Sequence, residues 1–219
     1  SKDLFPLLLK QDAGLYGYVA EGYWRDIGNL NEYQDAHMDA LMGQVKVHFE
    51  GTKQGNVYVG EGTSIQLDRV HITGTVLVGK TCTIADNVKL SNTIIGDNCV
   101  IGPGATLRNS VIWNDVVIGH SAELTSDVVG AKCSIGEKAI IAENVFIGDA
   151  CWIGRRAHLS ANIKLWPEKV VEEGAPQPSG TIRDCGTLVP MSVIVSLTGC
   201  DSSPVARRRK RRGRWNWCW

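Results

Sequence analysis

The chain has 219 residues, room for one or two small domains, and 43% of them are hydrophobic, with 24 glycines. Its formal charge is zero, but seven of the 23 basic residues lie between Arg207 and Arg214, which leaves residues 1–206 with 16 basic against 23 acidic side chains. An acidic body argues against broad nucleic-acid binding, and no apolar run approaches the roughly 18 residues of a membrane-crossing helix.

The first residues, Ser1-Lys2-Asp3-Leu4-Phe5, carry neither an initiator Met nor a signal-peptide pattern. They read as the start of a piece cut from a longer, cytoplasmic protein. Ser1 to Gln11, with Leu4, Phe5, Leu7, Leu8 and Leu9, predicts a short helix or a helical turn broken by Pro6. Leu15 to Ala20 and Tyr23 to Ile27 are aromatic and β-branched runs separated by Glu21-Gly22, the pattern of a hairpin. Asn29 with Glu32 three residues on has capping-box spacing, and Leu30, Tyr33, His37 or Met38, and Leu41 follow at helical intervals until Gly43. Residues 1–44 thus form a small α+β unit, and residues 45–58 a linker.

From residue 59 the chain is written in six-residue words. An aliphatic residue recurs from Val59 through Ile84, Ile101, Ile118, Ile135 and Ile153 to Leu165. Four places after most of them stands a small or branched residue, such as Cys82, Cys99, Ala105, Val111, Val116, Val128 or Cys133, and a Gly often follows the aliphatic position. Three words close a coil of 17 residues (Val78, Ile95, Ile112, Val129) or 18 (Val129, Ile147, Leu165), the shorter coils losing a residue near Ile94-Ile95, Val111-Ile112 and Val128-Val129. This periodicity predicts a mainly β, parallel β-helix of about six coils over 59–175, aliphatic and small residues inward, each coil packed on its neighbours.

Seven cysteines raise the question of a metal site or disulfides. Cys82, Cys99, Cys133 and Cys151 occupy the same inward slot of successive coils, with Val116 filling the gap, and are expected to be buried free thiols. After Leu165, Trp166-Pro167 breaks the strand pattern and the words stop from Pro176, so residues 176–219 read as an irregular or disordered basic tail. Within it, Thr187–Leu197 is an apolar stretch suited to capping the solenoid, and the run Arg207–Arg212 resembles a nucleic-acid patch but has no basic face beside it.

The words Ser1-Lys2-Asp3-Leu4-Phe5-Pro6, Gly17-Tyr18, Gly22-Tyr23-Trp24-Arg25-Asp26-Ile27-Gly28 and Glu32-Tyr33, followed by Ser110-Val111-Ile112-Trp113 and Leu165-Trp166-Pro167-Glu168-Lys169, resemble the end of a sugar-1-phosphate nucleotidyltransferase of the mannose-1-phosphate guanylyltransferase type. That resemblance implies a left-handed β-helix following the close of a catalytic domain. It implies NDP-sugar synthesis from a nucleoside triphosphate and a sugar 1-phosphate with Mg²⁺, and self-association through the β-helix. In that family the Asp of W-x-D-I-G binds the metal, a role falling here on Asp26. Gly28 would allow a close backbone approach to substrate, and Lys2 could reach a phosphate. No Gly-rich phosphate-cradling loop is present, so the chain alone is expected to be inactive.

Two other chemistries are weighed. Hexapeptide β-helices also serve as acyltransferases with an acyl-CoA donor and a His base, for which His120 and His158 are the candidates, although both occupy outward or corner positions. A zinc site among His48, His71, His120 and His158 lacks close ligand spacing. The bare surface of the solenoid, with Trp113, Phe146 and Trp152 facing out, is instead expected to support self-association.

Overall fold

The computed structural model describes residues 2–174 and 181–182; the apolar stretch Thr187–Leu197 and the basic run from Arg207 lie outside them. Strands of mostly two or three residues stack in parallel into a three-sided solenoid. The first face runs from Ser64–Ile65 through Thr83–Ile84, Val100–Ile101, Val117–Ile118, Ser134–Ile135 and Trp152–Ile153 to Val170–Val171, giving seven rungs where about six coils were expected. The second stacks Lys89, Thr106, Glu123, Ile140 and His158 in register, and the third runs from Val57–Val59 through Val76, Thr93, Val111–Ile112, Val128–Val129 and Phe146–Ile147 to Lys164–Leu165. A further rung, Thr181–Ile182, pairs with Lys164–Leu165. The repeat therefore reaches past Pro176, because Ile182 stands one 17-residue coil after Leu165.

Most words turn at one residue with positive φ, as at Asn87, Asn98, Asp115 and Asn144, and at Lys132, Lys138 and Arg156 as well; the word after Ile65 turns through a 3₁₀ helix, Leu67–Arg69, instead. Asn and Asp take this left-handed conformation most easily; the Lys and Arg positions show that stacking imposes it. The recurrent glycine has a different cause. A Cβ on Gly119 would lie 2.6 Å from the backbone nitrogen of Glu137, and one on Gly136 the same distance from that of Arg155. The corner backbones of adjacent coils meet there, and only a residue without a side chain fits.

The aliphatic column is fully buried: Ile101, Ile118, Ile135 and Ile153 are at most 1% exposed. The four core cysteines are buried and free, and their thiols donate to carbonyls at corners of the next coil, for example Cys99 to Trp113 O (3.0 Å) and Cys151 to Trp166 O (3.1 Å). The neighbouring Cys82 thiol, and then burial, hold Cys99 protonated; Cys151 and burial do the same to Cys133. A thiol so placed is a poor nucleophile. With Cys185, Cys200 and Cys218 replaced by Ser, a disulfide reagent should titrate essentially no thiol in the native protein and all four after unfolding; native reaction at free-thiol rates would contradict this packing.

The inward column of the third face differs from expectation. Val111 and Val128 point outward, and the inward positions are Val76, Thr93, Ser110, Asp127, Val145 and Ile163, all fully buried. The missing residue of each 17-residue coil is lost from the turn itself, in the five-residue steps Leu90 to Ile95, Leu107 to Ile112 and Leu124 to Val129. Those three short turns are the ones that carry Thr93, Ser110 and Asp127; the six-residue steps carry Val or Ile. Thr93 Oγ1 donates to Ser91 O (2.8 Å) and Ser110 Oγ to Arg108 O (2.7 Å), while Asp127 accepts from Thr125 N (2.8 Å) and Val145 N (3.0 Å). The polar side chains satisfy backbone groups that the shortened turn leaves facing inward.

Residues before the solenoid form two helices. In α1 (Leu4–Lys10) Pro6 does not break the helix, because it sits in the first turn, where a backbone N–H has no intrahelical partner. In α2 (Leu30–Leu41) the Asn29 side chain accepts from Glu32 N at 3.0 Å, and the helix closes as the Gln44 and Gly43 N–H groups bond Asp39 O (2.9 Å) and Ala40 O (3.1 Å). The hairpin expected over 15–27 is absent: these residues form no strand, and Tyr16, Tyr18 and Trp24 are exposed. An isolated two-stranded ribbon with no face to pack on has little stability of its own. The stretch expected to be a linker contains an antiparallel pair, Thr52–Gln54 with Val57–Val59, which covers the edge of the first coil.

Helix α2 lies across the outer side of the third face. Met38 and Leu41 pack on Val111, Val128 and Phe146, with Tyr33, Phe49, Leu77 and Ile94 around them. Gln34, also buried, donates to Asn109 O at 3.0 Å, and Trp113 hydrogen-bonds the Tyr33 hydroxyl. Phe146 is therefore a buried anchor, not a surface aromatic, and Trp113 is engaged by the helix.

Candidate functional site

The segment before α2 is held by one guanidinium. Glu32, Asp35 and Asp39 are spaced three and four apart, so they line one side of the helix. Arg25 reaches all three: its Nη1 lies 2.8 Å from Glu32 Oε2 and 3.0 Å from Asp35 Oδ2, and its Nη2 lies 2.9 Å from Asp39 Oδ2. Tyr23 donates to Asp39 at 2.8 Å. Partial burial alone would lower the Arg25 pKa; the bonds to Tyr23 and Asp35 and the charge of Asp39 outweigh it and raise it. Glu32 is thereby diverted from the return half of a capping box to Arg25. Sequence reasoning missed this clamp, although a lone Arg ahead of a helix with acids at positions three and seven after the first was its signal.

The clamp fixes the backbone on which Asp26 and Gly28 stand, and α2 in turn is seated on the solenoid. Asp26 itself is exposed, as are Gly28 and Lys2. A Cβ at Gly28 would meet nothing within 4 Å, so its small size serves no contact among the described residues. No hydrogen bond or ion pair brings Lys2, Asp26 and Gly28 together among the described residues, and no group of three or more His, Cys, Asp or Glu side chains there is arranged around a cation. A hard cation such as Mg²⁺ takes about six oxygen ligands. Most of those oxygens come from water and substrate phosphates, with one or two carboxylates from the protein, and Asp26 is an exposed carboxylate of the kind that could serve.

The histidines lie apart from this motif. His120 is at a solenoid corner, its Nε2 3.3 Å from Ser121 Oγ and its Nδ1 4.0 Å from Glu137 Oε1. Glu137 is held by Lys138 (3.3 Å) and Arg155 (2.9 Å), which keep its pKa below the ordinary carboxylate value. His158 belongs to the second face, on another side of the prism.

Residues 53–159 match the family model described as the EIF2B subunit epsilon LbH domain. The solenoid is a left-handed β-helix. The chain is 28% identical over 115 residues to a glucose-1-phosphate adenylyltransferase of Clostridioides difficile (strain 630), a span covering 42% of this chain and 30% of that protein. To the glucose-1-phosphate adenylyltransferase of Desulfitobacterium hafniense (strain DSM 10664 / DCB-2) it is 34% identical over 91 residues, covering 40% and 22%. The match thus spans less than a third of these curated relatives. Among solved structures, a hexapeptide transferase family protein from Anaplasma phagocytophilum is similar over 59% of this chain and 85% of that one, at 19% identity and a TM-score of 0.49. No helix among the described residues is long and apolar enough to cross a membrane.

Proposed function

We propose that the chain is the C-terminal part of a sugar-1-phosphate nucleotidyltransferase, its β-helix serving assembly with a second copy. The observation that carries the reading is one of order: the Tyr23–Gly28 motif, clamped by Arg25 to α2 and through α2 to the β-helix, precedes a solenoid whose sequence relatives include glucose-1-phosphate adenylyltransferases. The whole reaction joins a nucleoside triphosphate to a sugar 1-phosphate and releases pyrophosphate. Phosphoryl transfer of this kind depends on charge neutralisation and positioning, and Mg²⁺ supplies the neutralisation when it is bound. Asp26 would contribute one carboxylate to that ion beside Gly28, with Lys2 toward a phosphate. The motif favours GTP and mannose 1-phosphate as the substrate pair; the relatives' names favour ATP and glucose 1-phosphate.

The 219-residue chain alone should release no pyrophosphate from any nucleoside triphosphate and sugar 1-phosphate pair, and measurable synthesis would contradict the reading. In the gene, the reading frame preceding Ser1 should encode a Gly-rich phosphate-binding loop. A frame without one would sink the proposal. The match to an EIF2B subunit favours a second reading, in which the β-helix is an assembly platform with no catalysis of its own; a catalytically silent full-length protein that still assembles would select it.

A further inference from the structure

The three outer sides of the β-helix differ in kind. The third is covered by α2, and the second carries Lys89, Arg108, Glu123 and His158 facing out. The first carries no charge: above Ser64 its outward residues are Thr83, Val100, Val117, Ser134, Trp152 and Val170, in parallel register. Val100, Val117 and Trp152 are 43, 46 and 44% exposed. Beside this ladder runs a flat column of Ala85, Gly102, Gly119, Gly136 and Gly154.

We propose that this face is where a second copy of the chain docks, with the two solenoids antiparallel about a two-fold axis along the strands through Val117. The inference rests on the assembly part of the functional reading and not on its chemistry. Residues 1–206 are net acidic, so two copies repel across any charged side, and only the bare first face lets them meet without like charges at its centre. The antiparallel axis also matches shapes: Val117 meets the second copy's Val117, Val100 meets Ser134, and the large Trp152 lies over the small Thr83. At the rims it sets Asp86 opposite Arg155 and Lys80 opposite Asp149. Of the titratable side chains along this face, only His120 and Asp115, in the rung of Val117, meet their own copies, both at corners. A parallel two-fold, its axis along the solenoid, would instead set each ladder residue on its own copy, Trp152 against Trp152 and Thr83 against Thr83, a bulky pair that holds the small rungs apart. Seven rungs at the spacing of parallel strands make a face about 30 Å long and roughly 15–20 Å wide. That is below the ~800 Å² per partner of a standard interface and suits a weak, concentration-dependent dimer.

Sedimentation of the full chain from micromolar to hundreds of micromolar should show a mass rising toward twice the monomer. Val117→Asp, which sets two carboxylates face to face at the axis, should remain monomeric throughout while keeping the wild-type melting temperature. In the background lacking Cys185, Cys200 and Cys218, Val100→Cys and Ser134→Cys chains should form a disulfide when mixed and none when oxidised separately. The proposal is overturned if the wild type stays monomeric, if Val117→Asp dimerises like the wild type, or if Thr83→Cys cross-links efficiently to itself, as a parallel pair requires. None of these readouts involves nucleotide or sugar phosphate, so failure here leaves the catalytic reading standing, and the reverse.

Discussion

Asp127→Val should destabilise the protein by about 2–4 kcal/mol, although valine fills the same inward slot at Val76 and Val145. The aspartate accepts the buried N–H groups of Thr125 and Val145, and an unsatisfied buried donor costs about 1–3 kcal/mol. Two are orphaned, and the apolar area gained by valine returns only about 1–2 kcal/mol. Asp127→Asn should lose less, about 1–3 kcal/mol, because its amide carbonyl still accepts one N–H while its NH₂ faces the other donor. Burial pushes the Asp127 pKa up, partly opposed by those two N–H groups, and the result lies well above the ordinary carboxylate value. The folded state therefore holds this proton more tightly than the unfolded chain. Stability from this group is complete below the unfolded carboxylate pKa of about 3.9 and falls as pH rises from there through the folded value. Denaturant unfolding of wild type and Asp127→Asn at several pH values is the measurement. The wild type's advantage should shrink as pH rises, and an advantage that grows instead would show the carboxylate to be stabilised in its ionised form.

Asp127 also marks where sequence reading stopped short. The six-residue words were legible because one aliphatic residue per side of the prism must be buried, and that demand survives in Ile101, Ile118, Ile135 and Ile153 whatever the turns do. The count of 17 and 18 residues per coil was legible too. What the count did not locate was the deletion. Placing it beside the strand turns Val111 and Val128 inward; placing it in the turn brings Thr93, Ser110 and Asp127 inward and frees the valines to receive Met38 and Leu41. Polarity alone favoured the first choice, since a buried Asp is costly unless its hydrogen bonds are met. One of those bonds, from Thr125 N, is local, but the other comes from Val145 N in the next coil, and a linear sequence does not display it. The pattern puts Phe146 on the surface for the same reason: its position faces outward, and only the docking of α2 makes outward mean buried. The W-x-D-I-G segment shows the opposite limit. Its motif is strong in sequence, but among the described residues no hydrogen bond or ion pair joins Asp26, Gly28 and Lys2.

Ile118→Ala should cost about 3–5 kcal/mol, at the upper end for loss of a buried aliphatic side chain, whereas Ile65→Ala should cost about 1–2 kcal/mol. Both occupy the aliphatic position of the first face, and sequence pattern alone would rank them equal. Ile118 is 1% exposed, paired in register with Ile101 on one side and Ile135 on the other. Alanine there leaves a cavity with coils above and below, whose in-register ladders prevent collapse. Ile65 is only partly buried and packs at the rim of the core, with Ile84 as its single ladder partner. Its coil is the more adaptable one, with a 3₁₀ turn at Leu67–Arg69 and a register shift between Thr73 and Val76. In a solenoid each coil is stabilised by its neighbours, so the end substitution should fray the first coil locally while the central one weakens two interfaces at once. Hydrogen exchange separates these outcomes. Ile65→Ala should speed exchange only around residues 57–84, and Ile118→Ala should lower protection along the whole β-helix; uniform loss in both variants would mean the solenoid unfolds as a single cooperative unit, with no preferred end.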